Sequence, residues 1–436
     1  MVKNLKDDPR EEMITIDPLR NQVLDWVEGL RIRTDPYGQY RMSTSTEGTI
    51  FSSCFAVFVR ELLNDLDSIT LEERQEWIDF IQSAQDRETG IFIDPSLKSE
   101  GKWTPTIGRR HDWGYVTWQL TTFCLSALRT LGAEPIFEMK FLDNWRDPRV
   151  VRSFLNSLNW EKGTWAAGNV AMFLGICLMM DSEIRVTNSD IDQEKIKNDK
   201  IALEAFFQWH DENQDPRTGF WGTDRGTPYP VGLYGAMHQF LLYYYSNRSL
   251  KFSERIIDHS IKVQEKDGHF CPGSGGGGCE DYDVIDTIVS LSKDKSYRWD
   301  ESESTLNRAL AATLNSRGDD GGFLWANRKR FSVADWISQC LMIVKYRNVR
   351  TWIWSMKYSY IQQRTLKRGT GRMPIGWVTT PIPQNESDLF STWFRLLNIA
   401  EISQIIETPY SKFNWKFLKA PGLGWHKKLK EEPLGQ

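Results

Sequence analysis

Apolar residues fall along this chain in two alternating patterns. In residues 71–84 and 202–211 they recur every three or four positions and leave a polar face, as in a helix that covers a surface. In residues 116–131, 169–180, 233–245 and 333–346 they occupy nearly every position, as in a helix enclosed on all sides. An amphipathic helix followed by an apolar one predicts a helical hairpin. The apolar members are expected to begin near residues 48, 112, 168, 232, 280, 333 and 388. Such pairs pack most economically as an inner ring of apolar helices inside an outer amphipathic ring. The expectation is an all-α chain: a single α/α toroid of six to seven hairpins spanning residues 1–436, with 405–436 a strap or tail. Length alone would allow two or three domains of ~150 residues, but no Pro-, Ser- or Gly-rich linker divides the chain.

The turns inside the pairs repeat. A polar Gln or Asn closes the amphipathic helix, a glycine follows a few residues on, and an aromatic side chain comes next. The copies are Gln85 with Gly90-Ile91-Phe92, Asn159 with Gly163-Thr164-Trp165, Gln214 with Gly219-Phe220-Trp221, Gln264 with Gly268-His269-Phe270, and Asn315 with Gly322-Phe323. Gly38-Gln39-Tyr40 is a weaker first member. The glycine permits a tight turn, and the aromatic ring folds back on the helix.

These repeats resemble the QW motifs of the terpenoid cyclase and protein prenyltransferase superfamily, over roughly residues 38–325. In size the chain is most similar to the monodomain class II terpenoid and meroterpenoid cyclases. The resemblance implies an α/α barrel whose cavity holds an isoprenoid, and a cyclisation started by a general acid.

Composition sharpens this picture at one point. The chain carries 19 Trp, 22 Phe and 14 Tyr, an excess of aromatic rings that suits either a large helical core or a cavity walled by them. Lys and Arg number 54 against 58 Asp and Glu, so no electrostatic reason for a nucleic-acid partner exists. No window approaches ~18 uninterrupted apolar residues, and no membrane span is expected. The acidic N-terminal stretch lacks the apolar run of a secretory signal. Six cysteines without CxxC spacing suggest reduced thiols and a cytoplasmic protein. Six lysines among the aromatic residues of the tail could hold it against a membrane surface, though a strap packed on the outer ring fits as well.

Because each inner helix follows a repeat turn, the inner N-termini open at one mouth. His111-Asp112-Trp113 there offers a carboxylic acid among rings that would stabilise a carbocation, with Trp113, Tyr115 and Trp118 close by and His111 placed to orient a carboxyl. Asp112 is the favoured acid, and helix capping is its plainer role. A second acidic site is Cys279-Glu280-Asp281-Tyr282-Asp283 with Asp286, after the glycine run 273–278. It resembles in position the DxDD acid motif of class II cyclases, although Val284 stands where the last Asp would be. Asp281 and Asp283 are the reserve acids. The glycine run reads as a mobile loop over the mouth. Asn169, Tyr234, His238 and Trp336 complete the expected substrate wall.

Two metal readings compete. Cys279 and Asp281 with His111 or His238 could hold zinc as prenyltransferase β subunits do, but the order is reversed, and no metal is expected. Asn64-Asp65-Leu66-Asp67-Ser68 with Glu72 copies a class I magnesium triad, yet Thr70 and Glu73 read as a capping box that would break the helix such a triad needs.

The expectation is therefore a class II-like terpenoid or meroterpenoid cyclase, an isomerase that protonates a polyprenyl or prenylated aromatic substrate. No cofactor is required, and Mg²⁺ enters only if the substrate bears a diphosphate. A carbohydrate-active α/α-barrel enzyme, a uronate epimerase or glycoside hydrolase with paired carboxylates, is the alternative. A sugar pocket needs many hydrogen-bonding groups and a terpene tunnel almost none.

Overall fold

The computed structural model describes residues 16–33, 36–98, 113–187, 193–368, 377–378 and 380–426. The chain forms α1 (Ile16–Gly29), α2 (Ile50–Leu62), α3 (Leu71–Gln82), α4 (Pro95–Lys98), α5 (Trp113–Leu131), α6 (Pro148–Ser157), α7 (Thr164–Thr187) and α8 (Gln193–Asn213). It continues with α9 (Tyr229–Tyr245), α10 (Ser253–Lys262), α11 (Gly278–Leu291), α12 (Trp299–Leu314), α13 (Val333–Tyr346), α14 (Val349–Arg368) and α15 (Leu389–Ile405). The fold is all-α; among the described residues no strand forms.

Six apolar helices pack in a circuit. α2 lies against α5, α5 against α7, α7 against α9, α9 against α11, α11 against α15, and α15 against α2. That order is the one an inner ring requires. Amphipathic partners cover it: α3 packs on α5, α8 on α7, α10 on α11, and α12 on α15. One helix, Thr164–Val186, is long and apolar enough to cross a membrane, but 83% of its most apolar window is buried inside the protein.

The repeat turns work through their amides. Gln85 Nε2 donates to the carbonyls of Gly90 (3.0 Å) and Phe137 (2.7 Å). Gln214 donates to Gly219 O (2.8 Å), and Gln264 to Gly268 O (2.9 Å) and Thr305 O (2.8 Å). Each amide ties its own turn to the start or flank of the next outer element. At Gly90 φ is +79°, and a Cβ there would sit 2.1 Å from the Glu138 carbonyl, so the turn demands glycine. The aromatic residues Phe92, Phe220, Phe270 and Phe323 are completely buried. Thr70 and Glu73 form the expected capping box at the start of α3, which separates Asp65 and Asp67 from Glu72 and removes the class I triad.

α13 departs from expectation. It begins at residue 333 as predicted but stands outside the ring, with α14 as its main partner. α15 already closes the circuit between α11 and α2, so no gap is left for a seventh inner helix. Val333, Ile337, Leu341 and Val344 consequently face outward, between 56% and 77% exposed. In residues 410–426, Tyr410, Trp415, Phe417 and Leu418 are buried, and Gly424 N–H donates to the Tyr282 hydroxyl (3.3 Å).

Candidate functional site

The inner helices converge on a small cavity. α5 contributes Tyr115, Gln119 and Phe123, α7 Trp165 and Asn169, and α9 His238. α11 adds Cys279 and Asp283, α15 Phe390 and Phe394, and the connecting segments Trp325, Trp377 and Leu423. Aromatic rings dominate this wall. Phe390 is their hub, with Trp377 at 4.3 Å, Phe394 at 4.6 Å and Trp325 stacked at 5.4 Å between ring centres. Trp377 is fixed by donating its Nε1–H to Gln119 Oε1 (2.7 Å). In this closed arrangement the free space is about 40 Å³, enough for a few waters. A larger guest is admitted only as lining side chains swing aside.

The two aspartates at the start of α11 have opposite environments. Asp281 accepts from the Phe270 N–H (2.7 Å), from His269 Nδ1 (2.8 Å) and from the Arg395 guanidinium. Burial would raise its carboxyl, but the His269 and Arg395 charges and these hydrogen bonds outweigh burial and hold it well below the ordinary range. Asp281 is an anchored carboxylate. Asp283, one strand of helix further round, has both oxygens buried without a hydrogen-bond partner among the described residues. Burial first, then the nearby Glu280, Asp286 and Asp281 charges, push its carboxyl well above the ordinary value and favour the protonated form.

The glycine run explains why this pair can form. It is buried rather than spread as a mobile loop over the mouth. At Gly276, with φ +70°, a Cβ would lie 2.3 Å from Asp281 Oδ2 and 2.4 Å from His269 Nδ1. The backbone passes so close to the ion pair that no larger residue fits.

His238 carries the complementary property. Its Nδ1 faces the Tyr234 carbonyl, which can only accept, so Nδ1 bears the hydrogen and Nε2 keeps its lone pair. Burial pushes the imidazole down to about 4, and it is neutral.

Tyr115, Asn169, His238 and Asp283 stand where the sequence suggested, on the cavity wall. Three expected wall residues do not. Trp118 turns to the outer layer, against Trp145 (5.3 Å) and Phe154 (6.2 Å). Tyr234 lies behind Trp165 and donates its hydroxyl to Phe270 O (2.8 Å). Trp336 packs on Phe331 (5.1 Å) on the displaced α13. Asp281 is bound by Arg395 and His269 and is not among the lining residues of the cavity. His111 and Asp112 lie outside the described residues, as does the side chain of Trp113, whose backbone begins α5.

Sequence reading missed Arg395 and His269. Arg395 was signalled: a lone arginine inside the apolar run of α15 is buried only beside an opposite charge. His269 was hidden by its place in a repeat turn.

No protein-family model and no curated protein matches this chain.

Proposed function

We propose that the protein is a class II-like cyclase of an isoprenoid or prenylated aromatic substrate. The observation that carries this reading is Asp283, a buried carboxyl group without a hydrogen-bond partner among the described residues, on an aromatic wall. Its O–H proton passes to one carbon of a substrate alkene, and the π electrons form the new C–H bond. The carbocation left on the neighbouring carbon is attacked by the next alkene, which closes a ring. Rings of Trp325, Trp377, Phe390 and Phe394 stabilise the travelling charge through their faces. The final C–H proton goes to the lone pair of Nε2 of neutral His238, and the electrons of the broken C–H bond become the product double bond. Acid and base with ionisations pushed apart by their surroundings are the expected division of labour. One proton enters and one leaves, so the reaction is an isomerisation.

The described wall holds one carboxyl group, that of Asp283, and few other polar groups. A glycosidase needs two carboxylates across the scissile bond and many partners for sugar hydroxyls, so the lining favours the isoprenoid over the carbohydrate reading.

The reading is tested by incubating the purified chain in D₂O with polyprenyl alcohols and farnesylated or geranylgeranylated aromatic acids. A cyclic isomer one mass unit heavier, from deuterium delivered at the protonated carbon, is expected. His238→Ala should still consume substrate but divert it to other double-bond isomers or alcohols. Failure of every isoprenoid to yield a deuterated isomer would sink the proposal.

Delivery of so apolar a substrate finds support in the α13–α14 hairpin. Val333, Ile337, Leu341, Val344, Val349 and Ile353 are all exposed there, and residues 333–368 carry seven Lys or Arg against the single Asp335. A basic, apolar face of this kind suits an anionic membrane surface. It takes the role that the tail lysines suggested, since Tyr410, Trp415 and Phe417 of the tail are buried. Vesicles of phosphatidylglycerol and phosphatidylcholine should sediment the protein, and Ile337→Glu with Leu341→Glu should release it. Persistence of sedimentation in that double variant, or a dimer in solution that the variant splits, would refute the membrane contact.

A further inference from the structure

A second polar cluster, unused by the cyclisation scheme, is buried one helical turn along α11 from Asp283. Asp286 on α11, Glu401 on α15 and His426 on the strap each point one potential ligand atom at the others, all within 4.8 Å. His426 Nδ1 is 3.8 Å from Glu401 Oε1 and 4.0 Å from Asp286 Oδ1. The side chains are 0% exposed for Asp286 and Glu401 and 1% for His426. Both oxygens of each acid and both nitrogens of the imidazole lack a hydrogen-bond partner among the described residues.

Such a convergence is costly unless something occupies its centre, because unpaired buried polar atoms each forgo their hydration. A proton shared between Asp286 and Glu401 would relieve the two acids. It would leave His426 stranded, with neither nitrogen paired. A divalent cation satisfies all three at once: two carboxylates balance its charge, and a neutral imidazole supplies a nitrogen lone pair.

We propose that Asp286, Glu401 and His426 bind a first-row divalent cation of the zinc type, which pins the C-terminal strap to the inner ring. Oxygen and imidazole donors together suit zinc better than calcium or magnesium, which favour oxygen alone. Ligand atoms on a common tetrahedral zinc stand roughly 3.4 Å apart, so the two pairs that His426 makes need to close by only about half an ångström each. The Tyr244 hydroxyl nearby is also buried without a hydrogen-bond partner among the described residues. A cleft of about 180 Å³ lined by Tyr244, Ser290, Lys293, Trp425 and His426 leads to the imidazole and gives the ion a way in. Lys293 and Arg248 both stand on that rim as cations the ion must pass.

The consequence reaches the cavity. His426 follows Leu423, which lines the cavity, and Gly424, which hydrogen-bonds Tyr282 on α11. Trp425 packs on Tyr245 of α9 at 5.3 Å. Fixing His426 therefore fixes the part of the wall that the strap supplies.

The full chain, stripped with a chelator and dialysed, is titrated calorimetrically with ZnCl₂. One zinc per chain is expected, with at least tenfold weaker binding in Glu401→Gln and in His426→Ala. Cys279→Ser and Cys271→Ser should bind as the parent does. Co²⁺ added to the parent provides a readout independent of variant folding: visible bands without thiolate-to-cobalt charge transfer are expected. No zinc bound by the parent, equal binding by Glu401→Gln, or a cobalt–thiolate band would overturn the assignment.

Discussion

Asp283→Asn should abolish cyclisation while the protein still folds. General acid catalysis is typically worth 10²–10⁴-fold, and loss at or beyond the upper end is expected, since an amide cannot protonate an alkene and the described wall offers no second carboxylic acid. Folding should survive for a reason that also supplies a control. Burial and neighbouring acids raise the Asp283 carboxyl in the folded state above the ordinary value at which it ionises when unfolded. Between those two values the folded state carries the extra proton, so this group's contribution favours folding most at low pH and turns against it as pH rises toward the folded value. The amide has no such linkage. Its thermal midpoint at neutral pH should equal or exceed that of the parent, and the difference should shrink toward pH 4. The parent's turnover, by the same sign, persists through neutral pH and falls only as pH rises through the elevated value of the acid. An active Asp283→Asn protein would remove Asp283 as donor, and activity lost in Asp112→Asn alone would transfer the role to Asp112.

Arg395→Met should produce the largest loss of stability among single changes at the site. Arg395 is 0% exposed in its side chain, and its partner Asp281 is 2% exposed. Removing one member of a buried ion pair costs about 3–5 kcal/mol, because the remaining charge stays in a poor solvent. Asp281 would keep the Phe270 N–H and His269, which places the expectation near the lower end of that range. Chemical denaturation should report it as a lower midpoint with an unchanged slope. Asp281→Asn added to Arg395→Met should recover part of the loss, since it discharges the stranded partner. The depressed ionisation of Asp281 gives a second signature. Its stabilising contribution is present above the ordinary carboxyl value and disappears as pH falls through the folded one, so the gap between parent and Arg395→Met should narrow in strong acid. A variant as stable as the parent at neutral pH would show that the pair contributes nothing net to the fold.

The parts of this protein that its sequence determined by itself are those whose physics is local. Helix periodicity separates α3 and α8 from α5, α7 and α9, because burial on one face or on all faces is written into spacing within a few turns. The repeat turns were legible because a glutamine amide closing on a glycine carbonyl four or five residues away needs nothing from the rest of the chain. The Thr70–Glu73 capping box is of the same kind, and it sufficed to dismiss the class I metal triad.

What the tertiary structure decided is which of these helices enclose one another and what meets at their centre. α13 is as apolar as an inner helix, yet α15 takes the last place in the circuit and leaves α13 outside with its apolar face exposed. Asp281 and Asp283 are two residues apart and identical in type. Arg395, more than a hundred positions away, makes one a carboxylate, while the absence of any such partner for the other among the described residues leaves it an acid. His426 reaches Asp286 and Glu401 only because the strap folds back across the ring. Spacing along a helix fixes the direction of a side chain, but the charge it carries depends on the dielectric and the partners that closure of the ring brings to it.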